Sequence, residues 1–495
     1  MLKESGLEVN AGLIRGKLED LITFVSTAAE KGTAAHEVEQ GLFRSLLELG
    51  KMLFGHYLAS VGEGDVGESV TLGDGRTLHR HESLSRRRLL TVFGEFFLNR
   101  HAYSERSHAA IELVPTDQRL QLPESEVSYL LQGWDQMFGV EMAFGKTRDM
   151  IETILGIRQS VDTLEGGSRA MAAAADDFFA QLPPVDRESE GRLLVVTEDN
   201  KGIPMVRPTT ESAPAGHLTK GQKKNKKQMA CVGCVYTVDP HVRTPEDLVK
   251  TLFRDDDRCR EAPPVSQSKR YRASLTREVD GEIVRGQAEV FEFLRDQVSS
   301  RRRQRQTLLH LSDGQESLMT DRREFLPEDV RTIDILDLLH VLPRVWDAAH
   351  LFEKEGTTAA SDFVRTQLLK VLQGQTKSVI TSLRSRGTRA KLNKKKSERL
   401  AKITAFLTNN LFRMHYDEYL QNGYPIATGV IEGACRHVVK DRMERSGMRW
   451  KVPGAQAMLN LRAIRTNEDW DAFQTFRIQQ EQARIYPLDL TKLTA

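Results

Sequence analysis

The chain has 495 residues, a formal net charge of +2, 39% hydrophobic and 28% charged residues. This is the make-up of a soluble, multidomain globular protein rather than of a fibrous or disordered one. Four cysteines in this length argue against a disulfide scaffold. No stretch approaches the roughly 20 apolar residues that span a bilayer. The start, Met1-Leu2-Lys3-Glu4-Ser5, lacks an apolar signal core. A cytoplasmic protein with no membrane partner is expected.

The opening segment reads as helical, with Leu42, Leu46, Leu49 and Leu53 on one face at i, i+4, i+7 and i+11. Gly62 to Gly75 reads as a loop, and a basic stretch with Arg80, Arg86, Arg87 and Arg88 follows. Val92 to Leu98 reads as a short strand or buried turn. Residues 124–178 are helical again. Met142 to Leu155 and Ser160 to Ala174, broken at Gly156, have the outline of a helix-turn-helix at 142–174, with Ser160 as N-cap. Such a pair either enters a DNA groove or is a plain packed hairpin. A polar, proline-bearing linker from Gln181 to Gly191 marks a domain boundary.

Beyond it, strands are expected at Leu193 to Thr197, Met229 to Val238, Thr307 to Ser312 and Thr332 to Leu336. Helices are expected from about Pro245 to Arg254, Gln287 to Arg303 and Leu338 onward. This alternation is a mixed α/β pattern. Residues 344–420 read as almost wholly helical. Thr428 opens a long helix to about Glu444, and Pro453 to Arg465 forms another. The organisation expected is therefore α/β and multidomain. Its parts are a mainly helical region at 1–180, a core in two pieces at 190–343 and 421–466, helices at 344–420 between them, and a tail at 467–495.

Charge is clustered. Lys220, Lys223, Lys224, Lys226 and Lys227 form one acid-free run. Arg384, Arg386, Arg389, Lys391, Lys394, Lys395 and Lys396 form a second, and Arg301, Arg302, Arg303 and Arg305 a third cluster. One run alone is usually a solvated face; three beside candidate catalytic acids suggest a polyanionic substrate. Cys231 and Cys234 make a C-x-x-C pair inside an apolar strand, read as two core cysteines, with zinc or redox use as the other reading.

Three acids stand where a metal site needs them. Asp199 ends the strand Leu193-Leu194-Val195-Val196-Thr197-Glu198-Asp199, and Asp313 ends Leu308-Leu309-His310-Leu311-Ser312-Asp313. Glu432 lies one turn inside the helix opened by Thr428-Gly429. Strand ends at the open edge of an α/β sheet are where ligands bind. Carboxylates converging from two strands and a helix suit Mg²⁺, a hard ion that takes oxygen ligands and keeps places for water and phosphate. Two such ions serve an in-line phosphoryl displacement. Each acid has a plainer reading. Asp199 is a turn residue if Glu198, on the opposite strand face, is the functional acid. Asp313 before Gly314 begins a turn. Glu432 is an acid favoured by a helix N-terminus. Glu444 is a rival for Glu432, but twelve helical residues separate them by about 18 Å, too far to share one metal pair.

The sequence resembles the DDE transposases of bacterial insertion sequences, in the ISKra-type group distantly related to Mutator-like elements. The resemblance is carried by Glu198-Asp199-Asn200-Lys201-Gly202-Ile203-Pro204-Met205, by Leu311-Ser312-Asp313-Gly314, and by Gly429-Val430-Ile431-Glu432-Gly433-Ala434-Cys435-Arg436-His437. Arg442-Met443, Ser446-Gly447-Met448-Arg449-Trp450 and Gly454-Ala455-Gln456 extend it, so that it covers roughly residues 190–465. It implies a ribonuclease H-like core with Asp199, Asp313 and Glu432 as catalytic and metal-binding triad, and two Mg²⁺ ions for which Mn²⁺ can substitute. It also explains the separation of 119 positions (432 − 313) from Asp313 to Glu432 by an all-helical insertion at 344–420. Asp337-Leu338-Leu339-His340 is similar to the Asp-x-x-His signature after the second acid in Mutator-like transposases, and Trp346 follows it. Trp346 reads first as a core aromatic, with base stacking as the alternative. His340 reads as structural or DNA-positioning. Arg436 and Arg442 either hold phosphate near the metals or form surface ion pairs.

What the resemblance implies is metal-dependent cleavage and strand transfer at the ends of a mobile element. The partners would be double-stranded DNA (terminal inverted repeats and target) and further copies of the chain in a homodimer or larger assembly. End recognition falls to the N-terminal region by position alone. Two departures stand out: Asn200 follows the first acid where the family more often has glycine, and the N-terminal third holds no cysteine-rich zinc motif. A nuclease of the same fold that cuts without joining, and an inactive DNA-binding descendant, are the competing readings.

Overall fold

The structure is a computed structural model that describes residues 2–106, 109–183, 185, 190–207, 227–255, 262–329, 331–445 and 447–487, with the side chains of 2–9 left out. It divides into two compact units, residues 1–178 with 471–495, and residues 179–470. Among the described residues no helix is long and apolar enough to cross a membrane.

The first unit opens with two long antiparallel helices, Leu2–Glu30 and Ala35–Val61. Lys17 Nζ meets Glu48 at 2.6 Å between them, and the Phe24 ring lies so close to Gly41 that a Cβ there would sit 2.8 Å away. Five strands follow where a mainly helical region was expected. These are β1 (Ser69–Thr71), β2 (Thr77–Arg80), β3 (Ser85–Thr91), β4 (Gly94–Arg100) and β5 (Tyr103–Ser104). They form the sheet β1-β2-β5 and the hairpin β3-β4. The expected loop at 62–75 thus contains β1, and the expected strand at 92–98 is the turn and second arm of the hairpin. The reason lies in Arg86-Arg87-Arg88, which reads as part of a basic stretch. Arg87 instead turns inward and, with Arg100, pairs with the buried Asp117.

The helices Tyr129–Gly139, Phe144–Leu155 and Val161–Ala172 pack pairwise. Gly156 sits in the left-handed region at φ 70° and ends the middle helix. Ser160 Oγ accepts from the Thr163 amide at 3.0 Å and caps the next. That last helix offers Asp162 and Glu165 against a single Arg169, a charge balance that suits packing better than a phosphate backbone. The segment 467–495, expected as a tail, carries the helix Trp470–Ile485, and Phe473 packs on Phe178 with ring centroids 5.3 Å apart.

The second unit is an α/β unit built on one mixed sheet. Its strands are β6 (Leu193–Pro204), β7 (Lys227–Val238), β8 (Gln267–Leu275), β11 (Leu308–Ser312) and β12 (Thr332–Leu336), and a small hairpin is made by β9 (Arg277–Val279) and β10 (Glu282–Val284). The order is β12-β11-β6-β7-β8. β7 is antiparallel to both β6 and β8, while β11 runs parallel to both β6 and β12. Every residue of β11 is buried, as a central parallel strand covered on both faces demands.

Two features escaped the sequence. β6 does not end at Asp199 but runs on to Pro204, paired with β7 throughout. β8 was missed altogether because Lys269, Arg270 and Arg272 break its apolar pattern. Each arginine is satisfied by partners far along the chain. Arg270 reaches Asp469 at 2.6 Å, and Arg272 bonds Asn460 and lies over the Phe179 ring. The outer edge of β8 is sealed by the helix Val452–Thr466 and the residue after it. The Leu275 amide donates to Gln456 Oε1 at 2.9 Å, and the Tyr271 amide to Asn467 Oδ1 at 2.7 Å. A sheet edge covered in this way cannot template pairing with another chain. From Leu338 to Gln421 the chain is a run of helices, Leu338–Phe352, Thr358–Leu372, Thr376–Arg389, Lys394–Asn409 and Tyr416–Gln421, with one short 3₁₀ turn.

The entry to β6 is pinned by Glu190, whose Oε1 takes Arg301 Nε at 2.8 Å, both side chains being 1% exposed. Arg302 pairs with Asp329 at 2.7 Å. These two arginines therefore do not belong to a polyanion-binding cluster. Glu190→Gln strands a buried guanidinium and is expected to cost about 3–5 kcal/mol, read as a lowered urea midpoint for unfolding of the second unit. An unchanged midpoint would mean the pair contributes no net stability.

Candidate functional site

Strand periodicity builds the site. β11 and β6 are parallel with Leu311 opposite Thr197, so continuing two residues on each strand brings Asp313 beside Asp199. Neighbouring strands lie about 4.8 Å apart. Asp199 is half-buried. Burial lifts its carboxyl above the usual range and the nearby charge of Asp313 adds to the rise, against the Asn200 amide and the Cys435 thiol. Asp199 Oδ1 accepts from the Asn200 amide at 2.7 Å, and Oδ2 from Cys435 Sγ at 3.5 Å. Asp313 does begin a turn, as its plainer reading has it. Its Oδ1 accepts from the Gln315 amide at 2.7 Å, and Gly314 follows with φ 94°. Gln315 Oε1 returns to Asn200 Nδ2 at 3.1 Å, linking the loops after the two acids.

The third acid sits on the helix Gly429–Ala434, which continues through Cys435–Lys440 with widened i→i+5 turns and ends at Met443. Such π-turns are costly and concentrate at functional sites. Glu432 is exposed, one turn before Cys435 on the same helical face. Burial raises the Cys435 thiol pKa, and Asp199 and Glu432 add to the rise. Asp199 and Asp313 are therefore neighbours, and Cys435 joins the Glu432 helix to Asp199. No group of three His, Cys, Asp or Glu side chains is close enough among the described residues to hold a metal ion. Asp199 and Asp313 are oxygen donors at the ends of paired strands, the donor type a hard cation takes.

Asp337 and His340 belong to the same surroundings. Asp337 is buried, caps its helix through the Leu339 amide at 2.7 Å, and accepts from Thr428 Oγ1 at the start of the Glu432 helix. His340 Nδ1 lies 3.5 Å from Asp337 Oδ2. Its pKa is raised chiefly by Asp337, with smaller contributions from Asp313 and Asp199. Asp337 thus ties the start of the Glu432 helix to the end of β12.

The rivals are separated by where they point. Glu198 is 1% exposed and faces away from Asp199. It bonds His310 Nε2 at 2.9 and 3.1 Å. His310 Nδ1 meets Asp334 Oδ1 at 2.9 Å, and Arg322 Nε approaches the same oxygen at 2.8 Å. Sequence reasoning passed over this network because His310 looked like one polar residue in an apolar strand. Its one signal was a charged residue at an inward position on each of three neighbouring strands. Glu444 is held by Lys227, and the Trp450 indole donates to the Met443 carbonyl at 3.2 Å.

The basic candidates divide. Lys220, Lys223, Lys224 and Lys226 lie outside the described residues, and Lys227 is engaged by Glu444. Arg442 is fully buried, with its guanidinium 5.0 Å from the Trp450 ring centre, so it supports Trp450 and cannot hold a phosphate. Arg436 is exposed and lies 3.5 Å from Asp441. Arg386 turns inward to Glu353 and the rings of Phe352 and Phe363, and Lys396 donates to the Leu351 carbonyl at 2.9 Å. Arg384, Arg389, Lys391, Lys394 and Lys395 remain exposed around one helical hairpin tip. Trp346 is half-buried against Phe253, with centroids 6.2 Å apart, in keeping with a core aromatic. Cys231 and Cys234 are buried three residues apart on β7 and so lie on opposite sheet faces. No metal or disulfide joins side chains so placed.

His310 bonds a carboxylate through each ring nitrogen, which only the imidazolium can do with two donors. Burial alone would lower its pKa, but Glu198 and Asp334 outweigh this and hold it at about 9. A folded-state pKa above the unfolded 6.5 gives stability that is complete below pH 6.5 and is lost as pH rises through about 9. His310→Gln is expected to cost about 3–5 kcal/mol at neutral pH, and its deficit relative to the parent to shrink above pH 9. Denaturant midpoints across pH measure both, and a deficit that does not vary with pH would show that His310 is neutral in the fold.

No protein-family model matches the chain, and no curated protein matches it in sequence.

Proposed function

We propose that the protein is a DNA transposase of the DDE type, cutting DNA at the ends of a mobile element and joining the freed ends to target DNA. The observation that carries this reading is the placement of Asp199 and Asp313 on adjacent parallel strands, with Glu432 on a helix hydrogen-bonded to Asp199 through Cys435. In this reading the second unit is a ribonuclease H-like core, and the helices between β12 and the Glu432 helix are an insertion in it. The first unit binds the terminal inverted repeats.

Two Mg²⁺ ions, when bound, would supply the polarisation that makes water or a 3′-hydroxyl a nucleophile and stabilises the leaving oxygen. Asp199 and Asp313 would hold them, with Glu432 completing the set. The chain's own residues do the positioning. The hydrogen bond between Gln315 and Asn200 keeps the two acid-bearing loops together, and Asp337 fixes the start of the Glu432 helix through Thr428. The exposed lysines and arginines of the hairpin tip supply cation density for a phosphate backbone without reading sequence.

The test is an assay on supercoiled plasmid carrying the element's ends, with Mg²⁺ or with EDTA, on the parent protein and on Asp199→Asn, Asp313→Asn and Glu432→Gln. Loss of an outer partner of a metal ligand already costs 10–100-fold, so each ligand variant is expected to fall by more than about 100-fold while still binding the ends. Activity retained in any folded variant would remove that residue from the triad. Nicking without joining would instead favour a nuclease of the same fold.

The hairpin tip gives a separate prediction. Lys391→Ala, Lys394→Ala and Lys395→Ala together are expected to weaken binding to all duplex sequences alike. They should also flatten the slope of log K against log salt by about 0.9 per lost phosphate contact, or about 2.7 in all. Fluorescence anisotropy over a salt series measures this, and an unchanged slope would take the tip off the DNA path.

A further inference from the structure

Among the described residues, the candidate site holds a lysine whose charge the fold does not use. Lys201 stands on β6, two residues beyond Asp199. β6 pairs with β7 without a break from Leu193 to Pro204, so the alternation of faces runs through unchanged. Lys201 therefore shares the face of Asp199, about 7 Å along the strand, while Glu198, Asn200 and Gly202 take the other. Directly opposite it on β7 is Ala230, which is fully buried and carries no charge. On its other side β6 has outrun β11, whose last residue paired to it, Leu311, lies opposite Thr197.

Lys201 is half-buried, and among the described residues its ammonium has no ion-pair or hydrogen-bond partner. Its aliphatic stem accounts for the burial; the charge at its tip serves no contact of the fold. Other cations around the acids are engaged. Lys227 is held by Glu444, Arg442 lies over Trp450, Arg413 donates to Ser312 and Asn410, and His340 is drawn to Asp337. Burial and Asp199 raise the Cys435 thiol pKa and Lys201 acts against them, which sets the ammonium near the thiol that joins Asp199 to the Glu432 helix. The oxygens of Asp199 are taken, one by the Asn200 amide and one by Cys435. Lys201 thus leaves the charge of the acid in place for a metal ion instead of cancelling it.

We infer that Lys201 is a phosphate-binding residue of this site, its ammonium taking a non-bridging oxygen of the backbone phosphate next to the one held at Asp199 and Asp313. The inference rests on the reading of those acids as a DNA-processing site, and it adds the residue that sets how the strand lies across them. Spacing supports the neighbouring phosphate, because Lys201 stands two strand residues to one side of the acids. Chemistry supports it too. An ammonium is a compact point charge with three rotatable donors, which suits one phosphate oxygen without demanding a fixed fork. Such a contact goes to backbone, so it positions the strand and reads no sequence.

Two readouts on the full chain test it. The first is fluorescence anisotropy over a salt series, on a duplex carrying the element's end, with Ca²⁺ in place of Mg²⁺. Lys201→Met keeps the stem and drops the charge. It is expected to weaken binding about 10-fold and to flatten the slope of log K against log salt by about 0.9, the share of one phosphate contact. Lys201→Arg should restore both. Lys269→Met, at an exposed lysine of β8 near the opposite end of the sheet, should change neither. The second readout is Mg²⁺-dependent cutting of plasmid carrying the ends. There Lys201→Met should raise KM about 10-fold and leave kcat within about threefold, the signature of lost ground-state binding. A parent that binds the duplex but never cuts would remove the strand-transfer reading, and the slope would still decide on Lys201. A parent that cuts, with slope and KM unchanged in Lys201→Met, would remove Lys201 and leave that reading standing. A loss that Lys201→Arg does not recover, or that follows a lowered melting temperature, would make the role structural and overturn the inference, as would a parent that binds no duplex.

Discussion

The second unit depends on one buried imidazolium. His310 sits in the middle of β11 with Glu198 of β6 on one ring nitrogen and Asp334 of β12 on the other. Arg322 supplies the second positive charge. Two carboxylates and two cations make a neutral set, which is how ionic groups persist where water is absent. The geometry matters as much as the charge. A histidine that bonds both neighbouring strands fixes their stagger, and a slip of one residue would put these charges on the wrong face. The register that seats His310 also sets Asp199 beside Asp313. Glu198 and Asp199 are adjacent in sequence and opposite in role because a strand alternates its faces: one is consumed by structure and the other is left toward the half-open side.

A second constraint comes from the far end of the unit. Trp450 bridges back to the end of β6, its amide donating to the Pro204 carbonyl at 3.0 Å while its carbonyl accepts from Val206 at 2.8 Å. Its ring lies over the buried Arg442 on the Glu432 helix. Gln456 and Asn467 seal β8. Arg442, Trp450 and Gln456, which extend the resemblance in the sequence, therefore act on backbone, ring and sheet edge. They hold the helix of Glu432 against the strand of Asp199, and a π-turned helix needs such holding to persist.

Much of this was legible and some was not, for reasons that differ by residue. β11 was plain because five buried residues in a row have no other use. The break at Gly156 and the cap at Ser160 were plain because both are local and need no knowledge of the fold. The extension of β6 past Asp199 was hidden, since Asn200, Lys201 and Gly202 look like a turn and become strand only through pairing with β7. β8 was hidden because its arginines are satisfied by Asp469, Asn460 and Phe179, the first two nearly 200 residues away. Arg87, Arg301 and Arg442 are alike in being claimed by a buried carboxylate or an aromatic ring. A run of cations signals a solvated face only until a buried carboxylate or an aromatic ring claims some of them. At the candidate site, Asp199 and Asp313 could be named from strand pattern, but Cys435 could not, because nothing local marks a thiol that will face an acid across 236 residues.

The two faces of the sheet now differ in a way that bears on metal binding. On one face every buried acid near β11 has a cation within hydrogen-bonding reach, so an added ion would gain little. On the other, the charge of Asp313 adds to the cost of ionising Asp199, and a positive group near both is His340, which is already drawn to Asp337. An uncompensated pair of carboxylates in a partly buried site is unfavourable to folding by itself, and it stays favourable to a divalent cation for the same reason. The fold therefore neutralises the acids that it uses for structure and leaves two un-neutralised at the loops joined by Gln315 and Asn200. The metal-dependent phosphoryl transfer proposed above draws on that asymmetry.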